Sequence, residues 1–411
     1  MKFGSLHQAF QSHSSTTDIT IIDIKMHFPL PLSLLFLSRQ VFSCGVLLPR
    51  VSQSAELEGT PSNLKRRKLA YLYLYSLEID WEIEDLTLLP TDGNGTHWTV
   101  AQNLRQMQVS DDAFIARDLA KFNHSPNITV YYPMGVTMNL SEHLQDMRLT
   151  FSSFSDAQPH NHDYKVEFGE GDWTVALARA KGTNDGPLPG PTGNLLPPTE
   201  RVVTYDLMTI SRWNAGLMME EYLWTDNPRL YRALGLLPSP PPADVPDIEL
   251  NPYTAPVSTQ PGVDLSLSNK AAMTESDNAL NHGTFEADRM RLAENITVYG
   301  LTDEPLDLKG YLNWLKQTKI AFPDLHIENS PYRQIIGQGD WTATISILSG
   351  TNNGPWALPL YLSSAPVSAT EKKFSALHYT ICRWQDSEIV EMRINLDLFG
   401  ILVQLGLGDM I

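Results

Sequence analysis

Residues 339–342 read Gly-Asp-Trp-Thr, and residues 350–355 read Gly-Thr-Asn-Asn-Gly-Pro. Each stretch has a copy 168 residues upstream, Gly-Asp-Trp-Thr from residue 171 and Gly-Thr-Asn-Asp-Gly-Pro from residue 182. Ile-Thr-Val-Tyr occurs twice with the same spacing, from residues 128 and 296. Chance does not keep one spacing over three separate motifs, so the sequence predicts that one domain is present twice.

The same register extends toward the end of each copy. Past a variable loop the spacing becomes 171, which pairs Arg212-Trp213 with Arg383-Trp384. We therefore place the first copy at residues 99–237 and the second at residues 267–411. Residues 238–266 begin with Pro-Ser-Pro-Pro-Pro, and this proline density predicts a semi-rigid, extended linker.

The segment before the first copy, residues 1–98, gives fewer structural signals. Residues 26–37 resemble the apolar region of a secretory signal, but they begin internally and have no basic lead-in. They are also too short to span a bilayer. We expect this segment to be partly disordered and the protein to be cytoplasmic, with secretion as the alternative if translation starts at Met26.

Each copy is predicted to be an α+β domain. In the second copy the pattern predicts helices at 274–281 and 285–292, a strand at 294–299, and a helix between an Asp307 N-cap and Phe322-Pro323. Five strands and a closing helix follow, at 325–328, 333–336, 341–349, 373–383, 387–395 and 397–407. Helices before an antiparallel meander predict an α+β domain with its helices on one face of the sheet, and a strongly curved sheet would wrap a pocket.

Composition narrows the function classes. The chain has 30 basic and 47 acidic residues, a net charge of −17, which disfavours binding to nucleic acid or to anionic lipid. The two cysteines, Cys44 and Cys382, provide neither a disulfide framework nor zinc-ligand spacing. A hydrophobic or neutral small molecule, or a basic partner, is therefore expected, with no nucleic acid and no membrane.

The ordered motifs of the second copy resemble the SnoaL-like polyketide cyclase family, which has the nuclear transport factor 2-like cone fold. These motifs are Ala321-Phe322-Pro323-Asp324, Gly339-Asp340-Trp341, Gly350-Thr351-x-x-Gly354, Arg383 with Ile389-Val390-Glu391, and Asp397 through Gln404-Leu405-Gly406. The first copy departs from them in two places, at Ser155 and Ala233. The resemblance covers both copies, about two thirds of the chain. It implies carboxylate acid/base chemistry without a metal or an organic cofactor.

The family implies an aspartate that removes a proton α to a carbonyl before an aldol closure. That aspartate lies three residues before the aspartate that opens the closing helix, a position held by Leu223 and Ile394. Neither side chain transfers protons. Two interpretations follow. One is a cofactor-independent cyclase or isomerase of a polyketide-type or other hydrophobic carbonyl substrate. The other is a non-catalytic ligand-binding protein or scaffold, an intramolecular pseudo-dimer or a homo-oligomer.

The candidate catalytic residues lie in the second copy, where we expect the functional pocket. His378 can exchange protons near neutral pH, although a lone histidine on an apolar strand face is often a hydrogen-bonded core residue. Glu391 shares a strand face with Arg393 and would face solvent if the opposite face forms the core. Asp397 is better explained as a helix N-cap, which satisfies free backbone amides at the start of the closing helix.

The candidate ligand contacts are mostly aromatic. Trp173 and Trp341 begin paired strands, where they either stack on a flat polycyclic ligand or pack in the core. The complete predicted set is Trp341, Trp314, Tyr299, Trp173, Tyr205 and Asp226, of which Asp226 is the counterpart of Asp397. His160-Asn161-His162 lacks a carboxylate cluster and is predicted to be a surface loop, so we expect no metal.

Overall fold

A computed structural model of the protein describes residues 98–159, 164–190, 194–237, 265–302, 304–359 and 362–411. The signal-like stretch 26–37, almost all of the predicted N-terminal segment and linker, and the His160-Asn161-His162 loop lie outside these ranges. We refer to the elements between Val100 and Ala233 as the first domain and to those between Ser266 and Met410 as the second domain. The boundaries assigned from sequence remain predictions.

The first domain combines three helices with a seven-stranded sheet. Its elements are α1 (Val100–Ile115), β1 (His124–Tyr132), β2 (Val136–Met138), α2 (Leu140–Ser153), β3 (Gln158–Pro159), β4 (Val166–Glu170), β5 (Trp173–Thr183), β6 (Leu188–Pro189), β7 (Leu195–Leu196), β8 (Val202–Asn214), β9 (Leu217–Thr225) and α3 (Asn227–Ala233). The sheet order is β2-β1-β9-β8-β5-β3, with β4 also on β5, whereas β6 and β7 form a separate pair. β1 runs parallel to β9, which places the start of β1 beside the last strand.

The second domain repeats this path. Its elements are α4 (Ser266–Asn281), β10 (Leu292–Tyr299), α5 (Leu308–Ala321), β11 (His326–Ile327), β12 (Gln334–Gln338), β13 (Trp341–Thr351), β14 (Lys373–Gln385), β15 (Glu388–Leu396) and α6 (Leu398–Gln404). The sheet order is β10-β15-β14-β13-β11, with β12 also on β13 and β10 parallel to β15. The predicted α+β class with tandem domains is confirmed. None of the described helices has both the length and the apolar content needed to cross a bilayer.

One predicted helix is wrong. Residues 287–291 form a turn, and β10 begins at Leu292. The preceding helix ends at Asn281, and Gly283 follows in the left-handed region at φ +71°. Arg291 is also left-handed, at φ 56°, and this bend directs Leu292 into parallel pairing with Ile389. The predicted helix at 274–281 is correct but starts earlier, at Ser266.

The repeated motifs are explained by hydrogen bonds inside each domain. The indole Nε1 of Trp213 donates to Thr174 Oγ1 at 2.8 Å, and Trp384 Nε1 donates to Thr342 Oγ1 at the same distance. All four residues are buried, so each indole N–H requires its threonine acceptor. The Gly-Asp-Trp-Thr and Arg-Trp motifs therefore recur because together they hold two strands in register.

The Gly-Thr-Asn motif has a similar role. Asn184 donates through Nδ2 to Gly186 O at 2.8 Å and accepts from Thr199 N at 2.9 Å. In the second domain, Asn352 donates to Gly354 O and accepts from Thr370 N, both at 2.9 Å. Both asparagine side chains are fully buried. These bonds close the loop after the long central strand in each domain.

The sheets of the two domains pack against each other through a shared apolar core. That core contains Val166, Phe168, Val175, Leu177, Met208, Ile210, Tyr222 and Trp224 of the first domain with Ile336, Ala343, Ile345, Tyr379 and Ile381 of the second. At its edge, Gly169 N donates to Gln338 Oε1 and Gly337 N donates to Glu170 Oε2, both at 2.8 Å. These are equivalent contacts in opposite directions, the pattern that a two-fold symmetric pair makes.

Candidate functional site

One interior cavity lies in the first domain and has a volume of about 430 Å³. The helices α1 and α2 and the sheet enclose it, and most of its lining is apolar. Three carboxylates and two imidazoles also line it, those of Asp111, Asp146, Glu221, His124 and His143. The cavity of the second domain has a volume of only about 50 Å³. The expectation that the second copy holds the functional pocket is therefore corrected.

Bulky side chains account for the small second cavity. Tyr311 and Trp314 of α5 line it at the positions that His143 and Asp146 occupy in α2 of the first domain. Tyr311 is almost completely buried. Because large aromatic rings replace a histidine and an aspartate, the second domain fills space that the first domain leaves open.

The first cavity contains a buried cluster of one carboxylate and two imidazoles. Glu221 Oε2 lies 3.3 Å from Nε2 of His124 and 3.5 Å from Nε2 of His143. The two rings stack with their centroids 5.2 Å apart. All three side chains are at most 7 % exposed. Within the described residues the polar contacts of Glu221 use Oε2, which leaves Oε1 available to a ligand.

Local structure explains why these three residues meet. Glu221 pairs with Val130 where β9 runs parallel to β1, and His124 is the first residue of β1. Side chains alternate along a strand, so Glu221 points to the same face as Leu223, which also lines the cavity. α2 is fixed at its start by an Asn139 capping box and presents His143 in its first turn.

Burial decides the protonation of the cluster. It lowers the pKa of His143 to about 4, against the opposing effect of the Glu221 carboxylate, so this imidazole is neutral at neutral pH. Burial raises the pKa of Glu221, but the hydrogen bond from His124 and the positive charge that the imidazoles can carry shift it below its usual value. The lowered pKa favours the carboxylate form of Glu221 inside a largely apolar cavity.

The same three groups could hold a metal ion, since their ligand atoms lie within 4.8 Å of one another. Metal binding through Nε2 would leave a proton on Nδ1 of each imidazole. Within the described part of the chain, neither Nδ1 of His124 nor Nδ1 of His143 has a hydrogen-bond partner. Metal-bound histidines usually donate that proton to an acceptor. The arrangement therefore favours Nε2–H donation to Glu221.

The structure does not bring the three predicted catalytic residues together. His378 lines the small second cavity, where Nε2 lies 3.1 Å from Thr380 Oγ1, and burial lowers its pKa to about 4. Glu391 lines neither cavity and accepts from Arg393 Nε at 2.8 Å. Asp397 caps α6 by accepting from Gly400 N at 3.0 Å. Of the three, His378 alone lines one of the two cavities.

Two of the predicted ligand contacts line a cavity. Tyr205 lines the first cavity and Trp314 lines the second. Burial and the charge of Asp146 raise the pKa of Tyr205 to about 12, so its hydroxyl stays protonated and can donate a hydrogen bond. Tyr205 is thus the predicted ligand contact that lines the same cavity as His124, His143 and Glu221.

The other four predicted contacts line neither cavity and have structural roles. Trp341 stacks on Phe168 across the two sheets, with ring centroids 6.1 Å apart, and Trp173 lies 6.2 Å from Tyr222. These rings pack in the core shared by the domains.

The remaining two predicted contacts are held by polar partners. Tyr299 lies under the guanidinium of Arg393, whose Cζ is 4.4 Å from the ring centroid. Asp226 caps α3 by accepting from Arg229 N at 3.2 Å, and burial raises its pKa to about 6. Ring stacking and capping thus account for these two residues without a ligand.

Comparison of the two copies did not identify the cluster, because the cluster is not repeated. Leu292, Tyr311 and Met392 stand in the second domain where His124, His143 and Glu221 stand in the first. One signal in the sequence does identify Glu221. It lies two residues before Leu223, the position of the family's aspartate, and therefore on the same strand face.

Comparisons with known proteins agree with the sequence resemblance. Residues 270–405 match the family model of the SnoaL-like polyketide cyclases, which confirms the predicted resemblance in the second domain. Similar solved structures include AclR of Streptomyces galilaeus, at 22 % identity and a TM-score of 0.31, covering 36 % of this chain and 87 % of that one. IdmH of Streptomyces antibioticus has 21 % identity and a TM-score of 0.29, covering 33 % and 99 %. TsrD of Streptomyces laurentii has 22 % identity and a TM-score of 0.30, covering 34 % and 99 %. The comparison with curated proteins found no match.

Proposed function

We propose that the first domain binds an uncharged, largely apolar carbonyl compound and transfers a proton at the carbon next to its carbonyl group. Glu221 is the proton acceptor in this proposal, and the chemistry is that of a cofactor-independent isomerase or cyclase. The observation that carries the proposal is a buried carboxylate, held by two imidazoles, that lines a cavity of about 430 Å³.

The contacts of Glu221 support this role. His124 and His143 both lie against Oε2, so they hold the carboxylate in one orientation and leave Oε1 to take the proton. A base of this kind must lie within hydrogen-bond reach of the C–H bond it cleaves. The product is an enolate, which requires a hydrogen-bond donor at its oxygen. Tyr205 also lines this cavity, six residues along β8 from Ser211, the strand partner of Glu221, so its hydroxyl suits a polar group at the far end of the ligand.

Charge defines the class of ligand. Among the described residues that line the cavity there are three carboxylates, at Asp111, Asp146 and Glu221, and no lysine or arginine. A carboxylate or phosphate ligand would meet like charge in an apolar surrounding, where such repulsion is strong. The cavity therefore suits uncharged aromatic or polycyclic ketones, a class that includes polyketide-type intermediates.

Proton exchange tests the acid/base role without the natural substrate. The neutral bicyclic ketone 2-tetralone, incubated with the protein in D₂O, reports α-proton exchange by NMR. We expect wild-type protein to accelerate exchange above the buffer rate and Glu221→Gln to lose most of that acceleration, by about 100-fold or more. An absence of acceleration by wild-type protein, or full activity of the Glu221→Gln variant, would contradict the proposal.

Glu220 provides the matched control for this experiment. It is the neighbouring residue on β9, so its side chain points to the opposite face, where it lies 2.7 Å from Arg212 Nη2. Glu220→Gln makes the same chemical change on the same strand without touching the cavity. It should therefore retain wild-type exchange.

A non-catalytic role is favoured for the second domain alone. Met392 replaces the carboxylate there, and the small cavity is lined mainly by apolar side chains. The lining of this cavity includes one carboxylate, that of Asp277, and one imidazole, that of His378. Because we assign no chemistry to this imidazole, His378→Ala should leave proton exchange on 2-tetralone unchanged. Loss of exchange in that variant, with the fold intact, would instead assign the chemistry to the second domain.

A further inference from the structure

The closing helix of the second domain contributes to the wall of the first-domain cavity. Phe399 of α6 lines this cavity and is 2 % exposed. Its ring lies edge-on to Tyr231 of α3, with centroids 5.2 Å apart and an interplanar angle of 89°. Tyr231 also lines the cavity. One aromatic ring from each domain therefore forms this part of the wall.

A hydrogen bond between the domains fixes a second part of the wall. Residues 133–135 connect β1 to β2 and line the cavity. Met134 in this loop is left-handed, at φ 63°, a conformation that residues with side chains seldom adopt. Its backbone N donates to Asp397 Oδ2 at 2.5 Å, while Asp397 Oδ1 accepts from Gly400 N at 3.0 Å. One carboxylate thus caps α6 and holds a loop of the other domain.

A third contact joins the strand that carries the candidate base to the second domain. Trp224 Nε1 donates to the backbone carbonyl of Leu396 at 3.2 Å. Trp224 is on β9, three residues after Glu221, and Leu396 directly precedes Asp397. The strand that carries Glu221 is therefore attached to the segment that carries Asp397 and Phe399.

These contributions run in one direction. Every residue that lines the small second cavity belongs to the second domain. Asp226, the counterpart of Asp397, accepts from Arg229 N of its own helix. The second domain supports the cavity of the first without receiving the same support.

We propose that the second domain completes the ligand site of the first domain. Phe399 is a specificity-determining wall residue, and Asp397 is a positioning residue that holds the loop at 133–135. The proposal rests on the ligand site proposed above, but it does not depend on proton transfer by Glu221.

Ligand size tests the role of Phe399. Two neutral ketones, 2-acetylnaphthalene with two rings and 2-acetylanthracene with three, are titrated by fluorescence into full-length protein. Truncating a buried wall ring removes its contacts and enlarges the cavity, so Phe399→Ala should weaken two-ring binding about tenfold. The variant should also bind the three-ring ketone more tightly relative to the two-ring ketone than wild-type protein does. Phe374→Ala removes a buried ring of the second domain that does not line this cavity and should keep the wild-type preference. An unchanged preference in Phe399→Ala overturns the proposal for this residue.

An isosteric change tests Asp397 without removing a ring. Asparagine keeps one oxygen for Gly400, but its amide nitrogen cannot accept from Met134. Asp397→Asn should weaken binding of 2-acetylnaphthalene about fivefold or more, whereas Asp226→Asn should not. Equal affinities in these two variants overturn the positioning role.

Wild-type protein that binds neither ketone would overturn both this proposal and the ligand site on which it rests. Binding with exchange that does not depend on Glu221 would overturn only the acid/base role. The two proposals therefore fail in different experiments.

Discussion

Glu221 and Met392 occupy the same register position in the last strands of the two domains. Glu221 pairs with Val130 of the parallel neighbouring strand, and Met392 pairs with Val298, the counterpart of Val130. One fold therefore holds an ionisable cluster at this point in the first domain and an apolar side chain in the second. This difference, rather than the shared fold, distinguishes the proposed functions of the two domains.

The first prediction concerns the cost of breaking the cluster. Glu221→Met alone leaves His124 and His143 buried without their acceptor and should lower the free energy of unfolding by about 1–3 kcal/mol. The triple variant H124L/H143Y/E221M introduces the residues of the second domain and removes the unpaired imidazoles. It should recover at least half of that loss in urea unfolding. A triple variant less stable than the single one would show that the cluster does not act as a unit.

The second prediction concerns ligand charge. Methyl 2-naphthoate and 2-naphthoate share one ring system but differ by a negative charge. The ester should bind about tenfold or more tightly at pH 7, because Asp111, Asp146 and Glu221 are among the described residues that line the cavity and no lysine or arginine is. Glu221→Gln removes one of the negative charges. The difference in affinity between the ester and the acid should therefore become smaller, as measured by isothermal titration calorimetry. Tighter binding of the acid would contradict the assignment of the ligand class.

The third prediction concerns pH and His378. Its pKa is about 4 in the folded protein, because of burial, against about 6.5 when unfolded. The unfolded chain takes up this proton first, so the contribution of His378 to stability is present above pH 6.5 and is lost as the pH falls toward 4. His378→Leu, which inserts the first-domain counterpart Leu207, should therefore reduce the loss of stability between pH 7 and 4. Between pH 7 and 4, the wild-type protein should lose up to about 3 kcal/mol more unfolding free energy than the His378→Leu variant loses. If His378→Leu and wild-type protein showed the same dependence of unfolding free energy on pH, this would contradict the conclusion that His378 is a buried, neutral imidazole.

The fourth prediction has the opposite sign and concerns Asp277, which lines the same small cavity. Burial raises its pKa to about 7, against the hydrogen bond from Tyr332 OH, which favours the ionised form. The folded protein takes up this proton first, so the stability it contributes is present below about pH 4 and is lost as the pH rises toward 7. Asp277→Asn keeps an acceptor for Tyr332 and should stabilise the protein at pH 7 by about 2–4 kcal/mol. In urea unfolding, the stability that Asp277→Asn adds relative to wild-type protein should be smaller at pH 4 than at pH 7. A stabilisation that is the same at both pH values would contradict the prediction.

Much of the scaffold could be predicted because its contacts are local or repeated. Asp307 caps α5 as expected, with its carboxylate accepting from Gly310 N at 2.7 Å. The alternative interpretation of Asp397 as an N-cap also agrees with the structure. Such caps depend on residues three positions apart, a spacing that can be read directly from the chain.

The candidate site could not be predicted in the same way, because it depends on contacts far apart in sequence. His124 and Glu221 are 97 residues apart, and parallel pairing of β1 with β9 brings them together. The predicted catalytic residues were chosen in the copy with the better family motifs. Those motifs stabilise turns and strand pairs. They therefore predict the fold of each domain, but they do not predict which side chains line its cavity.

The sequence by itself determined that one α+β domain occurs twice, since the spacing of Trp, Thr and Asn residues specifies hydrogen bonds that each copy forms internally. Only the tertiary structure decided which copy has an open cavity. Cavity volume depends on how side chains from separate elements fill a common space, as Tyr311 and Trp314 do in the second domain. The tertiary structure also showed that Phe399 and Asp397 of the second domain contact the site of the first, because no local pattern encodes a contact between domains.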